Sequence, residues 1–249
     1  MDFNYSEWQI AAVLATYLFA AVAKGVTGLG FSTTCLPFLA VIVGLKEALP
    51  LLIIPSISSN LIVMRAAGRF QETLHRFWPM LLATIPGLVL GLWTLDRVDG
   101  AWAAAVLGAV LVLWCIFALA KPDLCLADRW ERPLGPVSGF LTGVLNGVTG
   151  SQVMPSMPYL MALHLDRNMF IQAINLSFTM SSLIMAIGLQ RLGLFTPDAL
   201  LVSIAGTLVV AVGVTIGTRI GKALAPGPFR LAVLLILMVM GLSLVARVI

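Results

Sequence analysis

The tetrapeptide Gly25-Val26-Thr27-Gly28 returns as Gly147-Val148-Thr149-Gly150, and each copy interrupts an apolar stretch too long for a single membrane crossing. The match extends past these four residues at nearly constant offset. Pro37-Phe38-Leu39 corresponds to Pro158-Tyr159-Leu160, Lys46 to Arg167, Ser56 to Ser177 and Ser58 to Thr179. Such a chain reads as a duplicated unit. Broken helices at corresponding positions of two halves are the sequence mark of a membrane transporter whose site lies at the breaks.

The lipid environment follows from composition. With 60% hydrophobic and 10% charged residues and a mean hydropathy of +1.02, 249 residues carry too little polar surface to clothe a soluble globule. An all-α polytopic membrane protein is predicted, because spanning helices satisfy their own backbone. No lysine or arginine precedes Lys24, so the basic start of a cleaved signal peptide is missing and the first apolar segment is expected to stay in the mature chain. Cys35, Cys115 and Cys125 follow no metal or redox spacing, and His75 and His164 are far apart with no ligand cluster nearby. Neither a metal nor a cofactor is expected, and no basic tail points to nucleic acid.

Apolar segments run approximately from Trp8 to Ala23, Phe31 to Gly44, Leu49 to Met64, Trp78 to Leu95 and Ala101 to Ala120. A second set runs from Leu134 to Asn146, Ser151 to Leu163, Met169 to Leu189, Ala199 to Gly217 and Leu231 to Val248. The expected organisation is a first repeat over 1–120, a cytoplasmic linker over 121–133 and a second repeat over 134–249. A crossing helix needs about 20 residues, so the first two segments of each set are short and read as hairpins of half-helices, leaving three spanning helices per repeat. The rival reading makes each short pair one kinked crossing.

Charge separates the two. Hairpins with the N-terminus outside put Arg65, Arg69, Arg76, Lys121, Arg129, Arg132, Arg167, Arg219, Lys222 and Arg230 inside, and only Lys46, Arg97, Arg191 and Arg247 outside. Kinked crossings divide the same charges almost evenly, so the positive-inside rule favours hairpins. Each repeat then crosses an odd number of times, the second repeat is inverted relative to the first, and both termini lie outside.

Glycine recurs every fourth residue at Gly135, Gly139, Gly143 and Gly147, and again at Gly213, Gly217 and Gly221, with Gly87 and Gly91 as a shorter run. Close helix packing is the first explanation of such stripes. Pro55 falls within an apolar segment and is predicted to bend its helix.

The chemistry converges on the breaks. A helix that restarts near Gly30 to Ser32, and another near Ser151, presents unpaired N–H groups and a positive dipole end, both suited to an anion. Two such ends arriving from opposite faces are placed to grip one small oxyanion at the midplane. The expected ligands are Gly25, Thr27, Gly28, Gly30, Ser32 and Thr33, with Thr34 close by. In the second copy they are Asn146, Gly147, Thr149, Gly150, Ser151 and Gln152. Lys24 immediately precedes the first break, and an ionisable residue in a membrane segment is a functional candidate; its alternative is snorkelling to a headgroup. Asn175 and Thr179, at i and i+4 with Gln172 on the same face, are candidates to line the path, although Ser, Thr and Asn also serve to bond helix to helix. The apolar cores hold no acidic residue, which argues against a sodium or proton site built on a buried carboxylate and against a divalent-cation pore with an acidic ring. An anion channel needs the same site with a continuous wet path. An integral-membrane enzyme needs a nucleophile and base, or metal ligands, near the midplane, and no histidine or acidic residue is placed there, so no catalysis is expected.

The stretches GVTGLGFSTTCLP from Gly25 to Pro37, GVTGSQVMPSMP from Gly147 to Pro158 and GVTIGTRIGKAL from Gly213 to Leu224 together resemble the TauE/SafE sulfite exporter family, also called the toluene-sulfonate uptake permease family. The resemblance covers essentially the whole chain. After each break it departs from the fuller glycine run often seen there, with Phe31-Ser32-Thr33 in one copy and Ser151-Gln152-Val153 in the other. It implies a bacterial inner-membrane permease for sulfite, organosulfonates or related sulfur oxyanions. Sulfur enters through this likeness alone; the anion site and alternating access are read from the broken helices.

Overall fold

A computed structural model describes residues 5–27, 30–120, 123–223 and 226–247. Gly28, one of the expected ligands, lies outside them. The described residues form ten α-helices and no strand. In chain order these are α1 (Glu7–Thr27), α2 (Phe31–Val43), α3 (Leu45–Ala67), α4 (Phe70–Arg97) and α5 (Gly100–Ala120), then α6 (Asp128–Thr149), α7 (Ser156–Ala162), α8 (Arg167–Arg191), α9 (Pro197–Ala223) and α10 (Pro226–Ala246). Seven of them, α1, α3, α4, α5, α8, α9 and α10, are long and apolar enough to cross a membrane. Their outward residues are apolar, with Leu208 74% and Val239 66% exposed, as a lipid-facing surface requires.

Both broken pairs reverse direction. Gln9 donates to the carbonyl of Ile42 at 3.4 Å and Phe19 meets Phe38 with ring centroids 5.8 Å apart, so α1 and α2 lie antiparallel. In a continuous kinked crossing, 33 residues of helix would hold Gln9 and Ile42 about 50 Å apart. In the second copy the Tyr159 hydroxyl donates to the carbonyl of Glu131 at 2.9 Å and the hydroxyls of Thr142 and Ser156 are 2.7 Å apart, which makes α6 and α7 a hairpin too.

The lengths differ from those expected. The apolar run ends at Ala23, yet α1 continues through Lys24 to Thr27 and reaches 21 residues. The 22-residue α6 begins at Asp128, within the segment read as a linker, where Asp128 and Glu131 in its first turn suit the positive end of the helix dipole. Each hairpin therefore pairs a full-length arm with a short one, of 13 residues in α2 and seven in α7. The second restart also comes late. Pro155 disfavours helical backbone at Met154, and Pro158 is tolerated only in a first turn, so α7 starts at Ser156 and not at Ser151.

Packing explains the glycine stripes. Helix α4 lies along α6, and a Cβ on Gly143 would sit 2.3 Å from the carbonyl oxygen of Thr84, while one on Gly91 would sit 2.3 Å from that of Val144. Helix α1 lies along α9 in the same manner, with Gly217 against the carbonyl of Val22. Two further pairs, α5 with α10 and α3 with α8, complete the bundle. Pro55 lies inside α3, which runs from Leu45 to Ala67. It has no N–H to offer Leu51, four residues back, and the Leu51 oxygen instead accepts from the Tyr17 hydroxyl at 2.6 Å and from Ser203 at 3.1 Å. That exchange ties α1, α3 and α9 together.

Candidate functional site

Lys24 lies in the last turn of α1 and is 1% exposed. Its ammonium donates to the Ser59 hydroxyl at 3.3 Å and to the Asn60 side-chain oxygen, both on α3. These partners are neutral, and among the described residues no carboxylate forms an ion pair with it. It does not snorkel. Ser59 in turn donates to the carbonyl of Ser56 at 2.8 Å, and the Ser56 hydroxyl meets that of Ser32 at 2.8 Å. A polar chain thus leads from the ammonium to the first turn of α2.

Two cavities flank this chain. The larger, of about 230 Å³, is lined at one end by Thr27, Gly30, Thr33 and Thr34 of the first break. Gly30 takes a left-handed φ of 88° as the N-cap of α2, a conformation that suits glycine. Its opposite walls are apolar, with Trp114 from α5, Phe170 from α8 and Leu234 from α10; Val153 and Met157 come from the second break, and exposed Arg230 stands at the edge. Ala23 and Thr27, on either side of Lys24 along α1, both line it. The smaller cavity, of about 20 Å³, lies between the two breaks and is lined by Ser32, Ser56, Asn146, Gly150, Gln152 and Ser182, with Leu49, Leu52, Ile53 and Met185 behind them.

The expected ligands divide between these spaces. Thr27, Gly30 and Thr33 face the larger, while Ser32, Asn146, Gly150 and Gln152 face the smaller. The two breaks approach one another, but the second presents a loop and not a helix start at Ser151. Gly150 has φ of 76° and its α-carbon abuts the side chains of Leu49 and Leu36. Gly25 and Gly147 face neighbouring helices: a Cβ at Gly25 would be 2.4 Å from the Val214 oxygen, and one at Gly147 would be 2.6 Å from that of Leu88. Thr149 donates to the carbonyl of Leu145 at 2.6 Å and accepts from the Ser151 amide at 3.1 Å, holding the turn; the Ser151 hydroxyl is buried without a partner. Asn175 and Thr179 bond their own helix, at Ile171 and Asn175 respectively, and line neither cavity. Gln172 accepts from the Arg69 amide at 3.3 Å and so caps the α3–α4 turn.

Sequence reasoning left the wall of the larger cavity unread. Trp114, Phe170, Leu234 and Leu237 carry no mark distinguishing a residue that faces a cavity from one that faces lipid.

A family model described as sulfite exporter TauE/SafE matches residues 13–244. No curated protein and no solved structure matches the chain significantly. With nearly the whole length matched, the chain belongs to the TauE/SafE sulfite exporter family.

Proposed function

We propose that this multi-pass membrane transporter is an inner-membrane permease for a small sulfur oxyanion, above all an organosulfonate, working by alternating access. The observation that carries the reading is the Lys24 ammonium, buried among neutral partners. An isolated buried charge is costly by several kcal/mol, and an anion in the adjacent cavity offsets that penalty. The charged oxygens sit at the N-terminus of α2, against Thr27, Thr33 and Thr34, where the helix dipole adds its positive end. Trp114, Phe170 and Leu234 then cover an organic group, which sulfite lacks.

The helix pairings support two inverted repeats. Matching α1–α5 to α6–α10 in order turns the α1–α9 pair into α6–α4, and both pairs exist; α3–α8 and α5–α10 map onto themselves. Arg69 at the end of α3 reaches Asp166 at the start of α8 at 3.7 Å, so these two equivalent helices run antiparallel, as inversion requires.

The test is a thermal-shift screen of the purified protein with sulfite, sulfate, toluenesulfonate, taurine and benzoate. Toluenesulfonate at a hundred times its dissociation constant is expected to stabilise by about 2.7 kcal/mol, with sulfite weaker. A response to benzoate alone, or no response to any sulfonate, sinks the reading. Orientation has a separate test. Cys125 is exposed while Cys35 and Cys115 are buried. A membrane-impermeant maleimide is expected to label Cys125 in inside-out vesicles and to leave it unlabelled in right-side-out ones; the opposite pattern inverts the topology.

A further inference from the structure

We infer that the small cavity between the breaks is a binding site for a sodium ion, set where the second copy lacks the ammonium that the first copy supplies. The residue before each Gly-Val-Thr-Gly is Lys24 in one copy and Asn146 in the other. Both lie in the last turn of a long helix, whose terminal carbonyls concentrate negative partial charge. In α1 that charge meets the Lys24 ammonium, whereas the last turn of α6 has no basic residue.

Asn146 is 0% exposed, and neither its amide oxygen nor its amide nitrogen has a hydrogen-bond partner. The Gln152 side-chain oxygen is likewise buried and unpartnered, while the nitrogen of that amide donates to Ser182 at 3.2 Å. Native interiors rarely leave such groups unsatisfied, so these atoms point to a guest. The cavity they line, about 20 Å³, has room for one water-sized particle and is too small for an oxyanion. Ser32, Ser56, Asn146, Gln152 and Ser182, drawn from both halves, line it. A lining of neutral hydroxyl and amide side chains at the carbonyl end of an interrupted helix offers the oxygen donors that a desolvated alkali cation takes. The missing carboxylate argues against a sodium site built on one; the donors here are hydroxyls and amides instead.

Binding of the ion stands on the cavity alone; its coupling to anion movement rests on the function proposed above. Ser56 and Ser32 line this cavity and also end the polar chain that begins at Lys24, so an ion here and the ammonium are linked through the same hydroxyls.

The test compares the melting temperature of the detergent-purified protein in sodium chloride and in choline chloride at equal concentration, with no sulfonate present. Sodium is expected to raise it by about 5 °C with saturation. Asn146→Lys, which installs the ammonium in the second copy, is expected to abolish the sodium response. Should that variant fail to fold, Ser182→Ala is expected to raise the half-saturating sodium concentration about tenfold. Equal melting temperatures in the two salts, as a trapped water would give, overturn the inference, as does a sodium response unchanged in Ser182→Ala. A sodium response in a protein that ignores every sulfonate upholds the cation site and removes the anion reading instead.

Discussion

Gly139→Ala is expected to leave little folded protein. The added Cβ would lie 2.1 Å from the carbonyl oxygen of Met80 and 2.9 Å from its carbonyl carbon, both backbone atoms of α4. No rotamer relieves that clash, so α4 and α6 must move apart. Separation is shared along the whole contact, because Gly87, Gly91, Gly143 and Gly147 place the two backbones equally close, with Cβ positions 2.1–2.6 Å from the facing helix. Without a hydrophobic drive between helices in lipid, this interlocking is a large part of what holds them. Overpacking of a tight interface is destabilising by about 1–3 kcal/mol, and a rigid backbone neighbour puts this case at or above the upper end. Gly100→Ala is the control: its Cβ would meet only the Lys46 side chain, at 3.8 Å. Size-exclusion profiles after stepwise heating are expected to show Gly139→Ala aggregated at least 10 °C below the parent, with Gly100→Ala unchanged. Equal profiles for both variants would mean that the helices are not locked through their glycines.

Those glycines were legible because the sequence states their mechanism: a residue without a side chain, repeated once per turn, on a helix in lipid. Pro55 marked a disturbance of its helix, but the partners of the Leu51 carbonyl it frees, Tyr17 and Ser203, come from other helices and could not be read from it. The chain reversals at the breaks followed from the distribution of arginine and lysine. Other features depend on tertiary context. Counting apolar residues stopped α1 at Ala23, because a lysine normally ends a membrane segment; here Ser59 and Asn60 accept hydrogen bonds from its ammonium and the helix runs on. The late start of α7 was encoded in Pro155 and Pro158, but the repeat argument transferred the first copy's geometry to a loop whose prolines forbid it. The division of one expected site into two cavities was out of reach, because Ser32 and Thr33 are neighbours in sequence yet line different spaces.

Lys24→Met is expected to separate transport from stability. The substitution removes a buried charge and keeps most of the side-chain volume, so the penalty of holding an ammonium away from water disappears. Against this, Asn60 and Ser59 each lose a donor; the Asn60 amide nitrogen already lacks a partner, and a further unmet group costs about 1–3 kcal/mol. These terms oppose each other, and the melting temperature of the sulfonate-free protein is expected to stay within a few degrees of the parent or to rise. The anion loses without offset. A tenfold loss of affinity corresponds to about 1.4 kcal/mol, well within what one nearby unit charge supplies at an effective dielectric constant of about 20. Proteoliposomes with equal amounts of folded protein are therefore expected to take up sulfonate at least tenfold more slowly at subsaturating concentration, and the sulfonate-induced thermal shift should disappear. Lys24→Gln separates charge from hydrogen bonding, since its amide can still donate to α3 but carries no charge; it is expected to resemble Met in transport. Normal transport by both variants would reduce Lys24 to a tie between α1 and α3. Recovery in Lys24→Gln alone would make the hydrogen bonds to Ser59 and Asn60, and not the charge, its contribution.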